Sequence, residues 1–175
     1  MTCKGLYVFV EGPDDERFFK RIAELSLQHK YAFVHIIKHA KLKKDKIDNH
    51  LRAIKSMEAH YIYVVDINDS PCVTAKKCKL QMMLKNIDPE NILVVIKEIE
   101  SWYLAGLDDH ACITLDLKPC TLTDGITKEQ FNSLIPKKFD SRVNFMIEIL
   151  KIFSIETAKT KNRSFRYFIE KYDCE

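Results

Sequence analysis

Short apolar runs alternate with amphipathic stretches over roughly the first hundred residues, and the two periods predict alternating strands and helices. Leu6 to Val10 is apolar at every position and rich in β-formers, the pattern of a strand buried on both faces. Glu11, Gly12 and Pro13 break it. From about Asp14 the spacing turns helical: Phe18, Ile22 and Leu25 share one face, which Phe19 and Ala23 widen. Pro13 suits a first helical position, and Asp14, Asp15 and Glu16 suit the positive end of the helix dipole. Tyr31 to Ile37 predicts a second strand. Lys44 to Met57 predicts a second helix on the face of Ile47, Leu51 and Ile54. Tyr61 to Val65 predicts a third strand ending at Asp66, Thr74 to Leu84 a third helix, and Ile92 to Ile96 a fourth strand. Such alternation predicts a parallel four-stranded sheet flanked by helices and joined by right-handed crossovers.

Past Lys97 the pattern changes. Ile99 to Leu107 reads as a short helix with Trp102 turned inward, as burial tendencies favour. Ala111 to Gly125 shows little periodicity. Helices are expected near Lys128 to Leu134, from Arg142 to Phe153 and from Arg163 to Tyr172. The expected organisation is an α/β core over residues 1–107, with a mainly helical extension over 108–175 packed on it.

Composition removes several classes of protein. With 46% hydrophobic and 30% charged residues, the chain is ordinary globular material rather than disordered. No apolar run approaches the roughly 20 residues a membrane span needs. The first ten residues carry neither the length nor the cleavage site of a secretory signal, so a cytoplasmic protein is expected. The six cysteines form no C-x-x-C pair, and reduced thiols are a better reading than a zinc site or disulfides. Net charge is only +3, but Lys38 to Lys55 carries +5 and Thr157 to Lys171 carries +4. The rest is therefore acidic, and the two basic segments are candidates for binding a polyanion.

The candidate chemistry follows from the strand ends. Ligands of open α/β sheets collect beyond the carboxyl ends of the strands. Glu11 directly follows the first predicted strand and Asp66 the third. If those strands are neighbours, both carboxylates enter one crevice, where they repel unless a cation neutralises them. A hard divalent ion such as Mg²⁺ suits such a set, because it takes few carboxylates and keeps several waters. Gly12 has no β-carbon and lets backbone and phosphate approach closely. The plainer alternative is that these acids cap helices, which Asp14, Asp15 and Asp69 are also placed to do.

The stretch Val8-Phe-Val-Glu-Gly-Pro-Asp-Asp-Glu16 resembles the first motif of Toprim domains, a strand ending in Glu-Gly with an Asp two or three residues on. Val64-Val-Asp-Ile-Asn-Asp69 resembles the second, a strand ending in Asp-x-Asp, at a suitable distance down the chain. Glu98-Ile-Glu-Ser-Trp-Tyr-Leu-Ala105 resembles the Glu-x-Trp-Leu stretch of OLD-like Toprim proteins of bacterial or archaeal defence and mobile elements. The resemblance implies a Toprim-type, Rossmann-like fold and Mg²⁺ (or Mn²⁺) chemistry on a phosphodiester of DNA or RNA. It implies Glu11 as metal ligand or general acid/base, Asp66 as metal ligand, Glu100 as an outer ligand, and Lys161 or Arg163 beside the scissile phosphate. Asn68 stands where the family pattern has Asp, and Asp69 is one step on as a substitute ligand.

A nuclease is thus expected. The alternative is a non-catalytic module binding nucleic acid or protein, which the Asp-x-Asn departure favours. A subunit working with a separate ATPase is a third reading, since the chain carries no Walker motif. A homodimer is a further candidate assembly, and no membrane partner is expected.

Overall fold

The computed structural model describes residues 4–172. Its contacts divide the chain between Val94 and Val95 into two compact units. The Glu100 helix, assigned from the sequence to a core ending at residue 107, falls in the second unit.

Strands β1 (Leu6–Val10), β2 (Val34–Lys38), β3 (His60–Asp66) and β4 (Ile92–Val95), which fall in the first unit save for Val95, form a parallel sheet in the order β2-β1-β3-β4. The α/β fold expected from the sequence is the one observed. Leu6 pairs with Val34 on one side and His60 on the other, and Phe9 pairs with Ile37 and Tyr63. Helices α1 (Pro13–Leu25), α2 (Lys44–Ser56) and α3 (Val73–Met83) supply the crossovers. Side chains alternate across each strand, so one face of the sheet presents Phe9, Tyr61, Tyr63 and Val65. These pack with Ile47, Leu51 and Ile54 of α2 and with Leu80, Leu84 and Ile87. Helix α1 lies against β1 and β2 and buries Phe18, Phe19 and Ile22.

The second strand begins later than the sequence suggests. A single 3-10 turn, Leu27–His29, comes first, and Tyr31 is buried with its ring edge-on to His60 rather than in the ladder. Apolar character at Tyr31 therefore reports burial, not strand.

The second unit is helical: α4 (Glu100–Ala105), α5 (Asp109–Thr114), α6 (Lys128–Leu134), α7 (Arg142–Lys151), α8 (Ile155–Lys161) and α9 (Arg163–Tyr172). Trp102 is fully buried, stacks on Phe168 at 5.5 Å and donates from Nε1 to Ser164 Oγ at 2.8 Å. Around it runs a buried polar chain. Asn162 donates to Ser101 and Thr123, and its carbonyl oxygen accepts from Ser164 Oγ and the Phe165 N–H. Two short helices, α5 and α8, are additions to the sequence reading. Each is held by an N-cap, Asp108 on the Ala111 N–H and Ser154 on the Thr157 N–H, and neither shows much apolar period. No helix among the described residues is long and apolar enough to cross a membrane.

Candidate functional site

Because β2, β1 and β3 are parallel and adjacent, their carboxyl ends share one rim of the sheet. Glu11 leaves β1 there, and its Oε1 accepts a hydrogen bond from the Asp66 N–H at 3.3 Å. That bond joins the two acids across neighbouring strands. The side-chain oxygen Oδ1 of Asp66 is sealed from solvent, and the Glu11 side chain is half-buried.

The chain after Glu11 is fixed by ordinary capping chemistry. Gly12 is the N-cap of α1, and Asp15 reaches back so that its Oδ2 accepts the Gly12 N–H at 3.1 Å. Asp14 instead pairs with Arg17 at 2.7 Å. Glu16 holds Lys20 and Lys38, which lower its carboxyl below the usual range, the Lys38 hydrogen bond first. These three acids are therefore spent on the helix. Gly12 has an extended φ of −144°, and a β-carbon added there would meet only Asp15 Oδ2 at an ordinary 3.7 Å. Neither strain nor packing in the described structure demands glycine at this position.

Beyond Asp66 the chain turns between Ile67 and Ser70, closed by the Ser70 N–H on the Ile67 carbonyl at 3.1 Å. Asn68 sits in the left-handed region at φ 47°, a conformation Asn and Asp adopt more readily than other side chains. Asn68 and Asp69 are both exposed. Asp69 caps nothing, for Cys72 is the N-cap of α3 and accepts the Ala75 N–H.

Two residues at this rim are not among the site residues expected from the sequence. The ring of His39, one residue past β2, stacks on that of Tyr63 at 4.5 Å. His39 Nε2 lies 3.2 Å from the Val64 carbonyl, which can only accept, so Nε2 carries the proton. Nδ1 then accepts from the Tyr63 hydroxyl at 3.2 Å. Burial holds the imidazole below its ordinary pKa, against the opposing pull of the Val64 carbonyl and the Glu11 charge. Burial, reinforced by the charges of Glu11 and Asp48, raises the Tyr63 phenol. The Glu11 charge thus acts on a pair of neutral, mutually hydrogen-bonded rings. Sheet order alone brings them to Glu11; the only sequence cue was a histidine directly after a strand flanking β1.

The other residues singled out from the sequence lie in the second unit. Glu100 is buried and pairs with Arg142, which also bonds Asn132 and lies 5.6 Å over the Phe131 ring. Burial raises the Glu100 carboxyl, with Arg142 opposing. Lys161 donates from Nζ to the Leu107 carbonyl at 2.6 Å. Arg163 binds Asp124 through both its backbone N–H and Nε.

Among the described residues no group of three or more His, Cys, Asp or Glu side chains is gathered so as to hold a metal ion. Glu11 and Asp66 offer two carboxylates at this rim, both partly buried. That set fits a hydrated Mg²⁺, which retains water and takes few protein ligands, and does not fit an all-protein cage.

The site defines a class: a parallel α/β protein with paired acids at the carboxyl ends of adjacent strands. No family model matches the chain, and no curated protein matches its sequence. A solved structure, the C-terminal region of the Burkholderia pseudomallei OLD protein, is similar over 99% of this chain and 98% of that one. The identity is 15% and the TM-score 0.49, a likeness too distant to bear on chemistry.

Proposed function

We propose that this chain is a Toprim-type, Mg²⁺- or Mn²⁺-dependent nuclease of the OLD-like kind, hydrolysing phosphodiester bonds in DNA or RNA. The observation that carries the reading is the Glu11–Asp66 contact across β1 and β3, in a sequence that resembles both Toprim motifs at those two residues. Glu11 and Asp66 would hold the ion, which when bound supplies charge neutralisation and polarisation of a phosphoryl oxygen. Glu11 would also take a proton from an attacking water, a reading supported by only one of its oxygens accepting the Asp66 N–H. Gly12 leaves room for the phosphate. Lys161 and Arg163 are already engaged within their own unit, so the reading rests on the acids.

The test is cleavage of single- and double-stranded DNA and RNA by the purified chain with Mg²⁺ or Mn²⁺. Gly12→Ala separates phosphate approach from folding. Its stability should stay within about 0.5 kcal/mol of the parent, as expected where a β-carbon meets no clash. Cleavage should fall at least about tenfold, because a 1 Å displacement of the reacting phosphate is that costly or more. Unchanged cleavage would remove the close-approach role of Gly12.

One observation favours a second reading, a non-catalytic module that binds nucleic acid or a partner such as an ATPase subunit. Asn68 is an exposed, left-handed turn residue, and an amide offers a metal no charge. The free protein is then expected to bind Mg²⁺ weakly. Asn68→Asp keeps a residue suited to φ 47° and should tighten Mg²⁺ binding about fivefold by calorimetry, the order of one exposed ion pair at roughly 1 kcal/mol. No change in Asn68→Asp, with binding lost in Asp69→Asn, would make Asp69 the second ligand. If no variant binds Mg²⁺ or Mn²⁺, with or without nucleic acid, the module reading replaces the nuclease.

A further inference from the structure

We propose that the lysines of α3, with those of the 39–43 loop and the start of α2, form the surface that grips the sugar-phosphate backbone of a nucleic acid strand. The inference rests on the nuclease reading for the fate of the strand, but not for its binding.

The argument begins with which cations are already committed. In the first unit, Lys4, Arg17, Lys20, Arg21, Lys38 and Lys55 each contact a carboxylate. Lys30 lies over the Tyr31 ring, and Arg52 donates to Asn49. Among the described residues, the ammonium groups of Lys41, Lys43, Lys44 and Lys46 have no such contact. Neither do those of Lys76, Lys77 and Lys79. Lys85 aside, every uncommitted cation of this unit falls in these two groups. Like charges gathered on one surface repel, and an outside polyanion would relieve that repulsion.

Both groups belong to the rim that carries Glu11 and Asp66. The loop after β2 and the turn after β3 leave the parallel sheet at the same edge, and α2 and α3 begin there. Helix α3 contains no acid and buries only Leu80. Its far end is secured by Asp48 of α2, whose carboxylate accepts the N–H groups of Lys85 and Asn86. The first two turns thus stand beside the Asp66 turn with little covering them. Lys76 and Lys77 are half-buried, their stems lying on the protein and their ammonium heads free, while Lys79 is exposed.

A nucleic acid fits better than a membrane. The exposed apolar residues of α3, Val73, Met82 and Met83, are spread around the helix, with Val73 and Met82 on opposite sides, so no single apolar face is presented to lipid. The second basic segment, +4 against +5 in the sequence, has most of its cations engaged in contacts of its own. Lys159 pairs with Glu156, Arg163 with Asp124, Arg166 donates to the Lys159 carbonyl, and Lys171 covers two tyrosine rings.

Binding of labelled single-stranded DNA, duplex DNA and RNA is measured by anisotropy, with EDTA present and salt varied from about 50 to 200 mM. Lys76→Gln/Lys77→Gln/Lys79→Gln in the full chain should bind at least about tenfold more weakly, with a salt slope flatter by about two to three. Arg166→Gln/Lys171→Gln should bind within about twofold of the parent. Circular dichroism checks that each variant is folded. Parent-like affinity and slope in the triple variant overturn the inference, as does binding of the parent to phosphatidylserine vesicles but not to nucleic acid. Mg²⁺-dependent cleavage of the same oligonucleotides is read in parallel. Lysine-dependent binding without any cleavage leaves the surface standing and removes the nuclease, whereas cleavage with binding indifferent to α3 removes the surface alone.

Discussion

Glu11→Gln should lower cleavage by about 10²- to 10⁴-fold, the range of a lost general base, while leaving the fold intact. The substitution is close to isosteric, and an amide oxygen can still accept the Asp66 N–H that Glu11 Oε1 accepts now. What disappears is charge. Glu11 and Asp66 are two acids joined at one rim, where like charges would repel, so without metal the variant should be as stable as the parent or slightly more so. With metal the order reverses, because an ion that binds only the folded state stabilises it by mass action. Millimolar Mg²⁺ should raise the melting temperature of the parent but not of the variant. Parent-rate cleavage by folded Glu11→Gln would put the active site elsewhere. Loss of cleavage together with loss of the native circular dichroism signal would instead make Glu11 structural.

Much of the architecture was legible because burial imposes a period. Helix α9 was read to the residue, since Phe165, Phe168, Ile169 and Tyr172 repeat at helical spacing and all are buried. Helix α8 was not, for Ala158 is its one buried side chain, and Ser154 and Thr157 were the available signal. Glu11 and Asp66 stood out because each ends an apolar run. The contact between them needs β1 beside β3, and the His39–Tyr63 pair needs the order β2-β1-β3, which no local pattern encodes. Asn68 was noticed as a missing ligand; its left-handed φ adds a conformational reason for Asn in that turn. The basic segments illustrate the same limit. Counting charges gave Lys38–Lys55 and Thr157–Lys171 similar totals, +5 and +4, whereas the fold engages most cations of the second and leaves those of α3 unclaimed.

Arg142→Met should destabilise the second unit by about 3–5 kcal/mol, because it strands Glu100 as an uncompensated buried charge. The methionine keeps apolar contact where the guanidinium lies over Phe131, so charge rather than volume is the main loss. The sign with pH follows from the raised Glu100 carboxyl. Desolvation lifts its folded pKa above the ordinary 4.5, so the folded state holds the proton longer than the unfolded state does. Stability from this group is therefore complete below about pH 4.5 and is lost as pH rises through the folded value. Removing Arg142 takes away a pull that lowers this pKa, which widens the window upward. Denaturant unfolding of Arg142→Met should then show its full deficit at pH 7 and a much smaller one near pH 4. Glu100→Gln/Arg142→Met removes both charges, and it should recover most of the pH 7 deficit and abolish its pH dependence. A deficit that is the same at both pH values and is not relieved in the double variant would assign Arg142 to packing and to its bond with Asn132 instead.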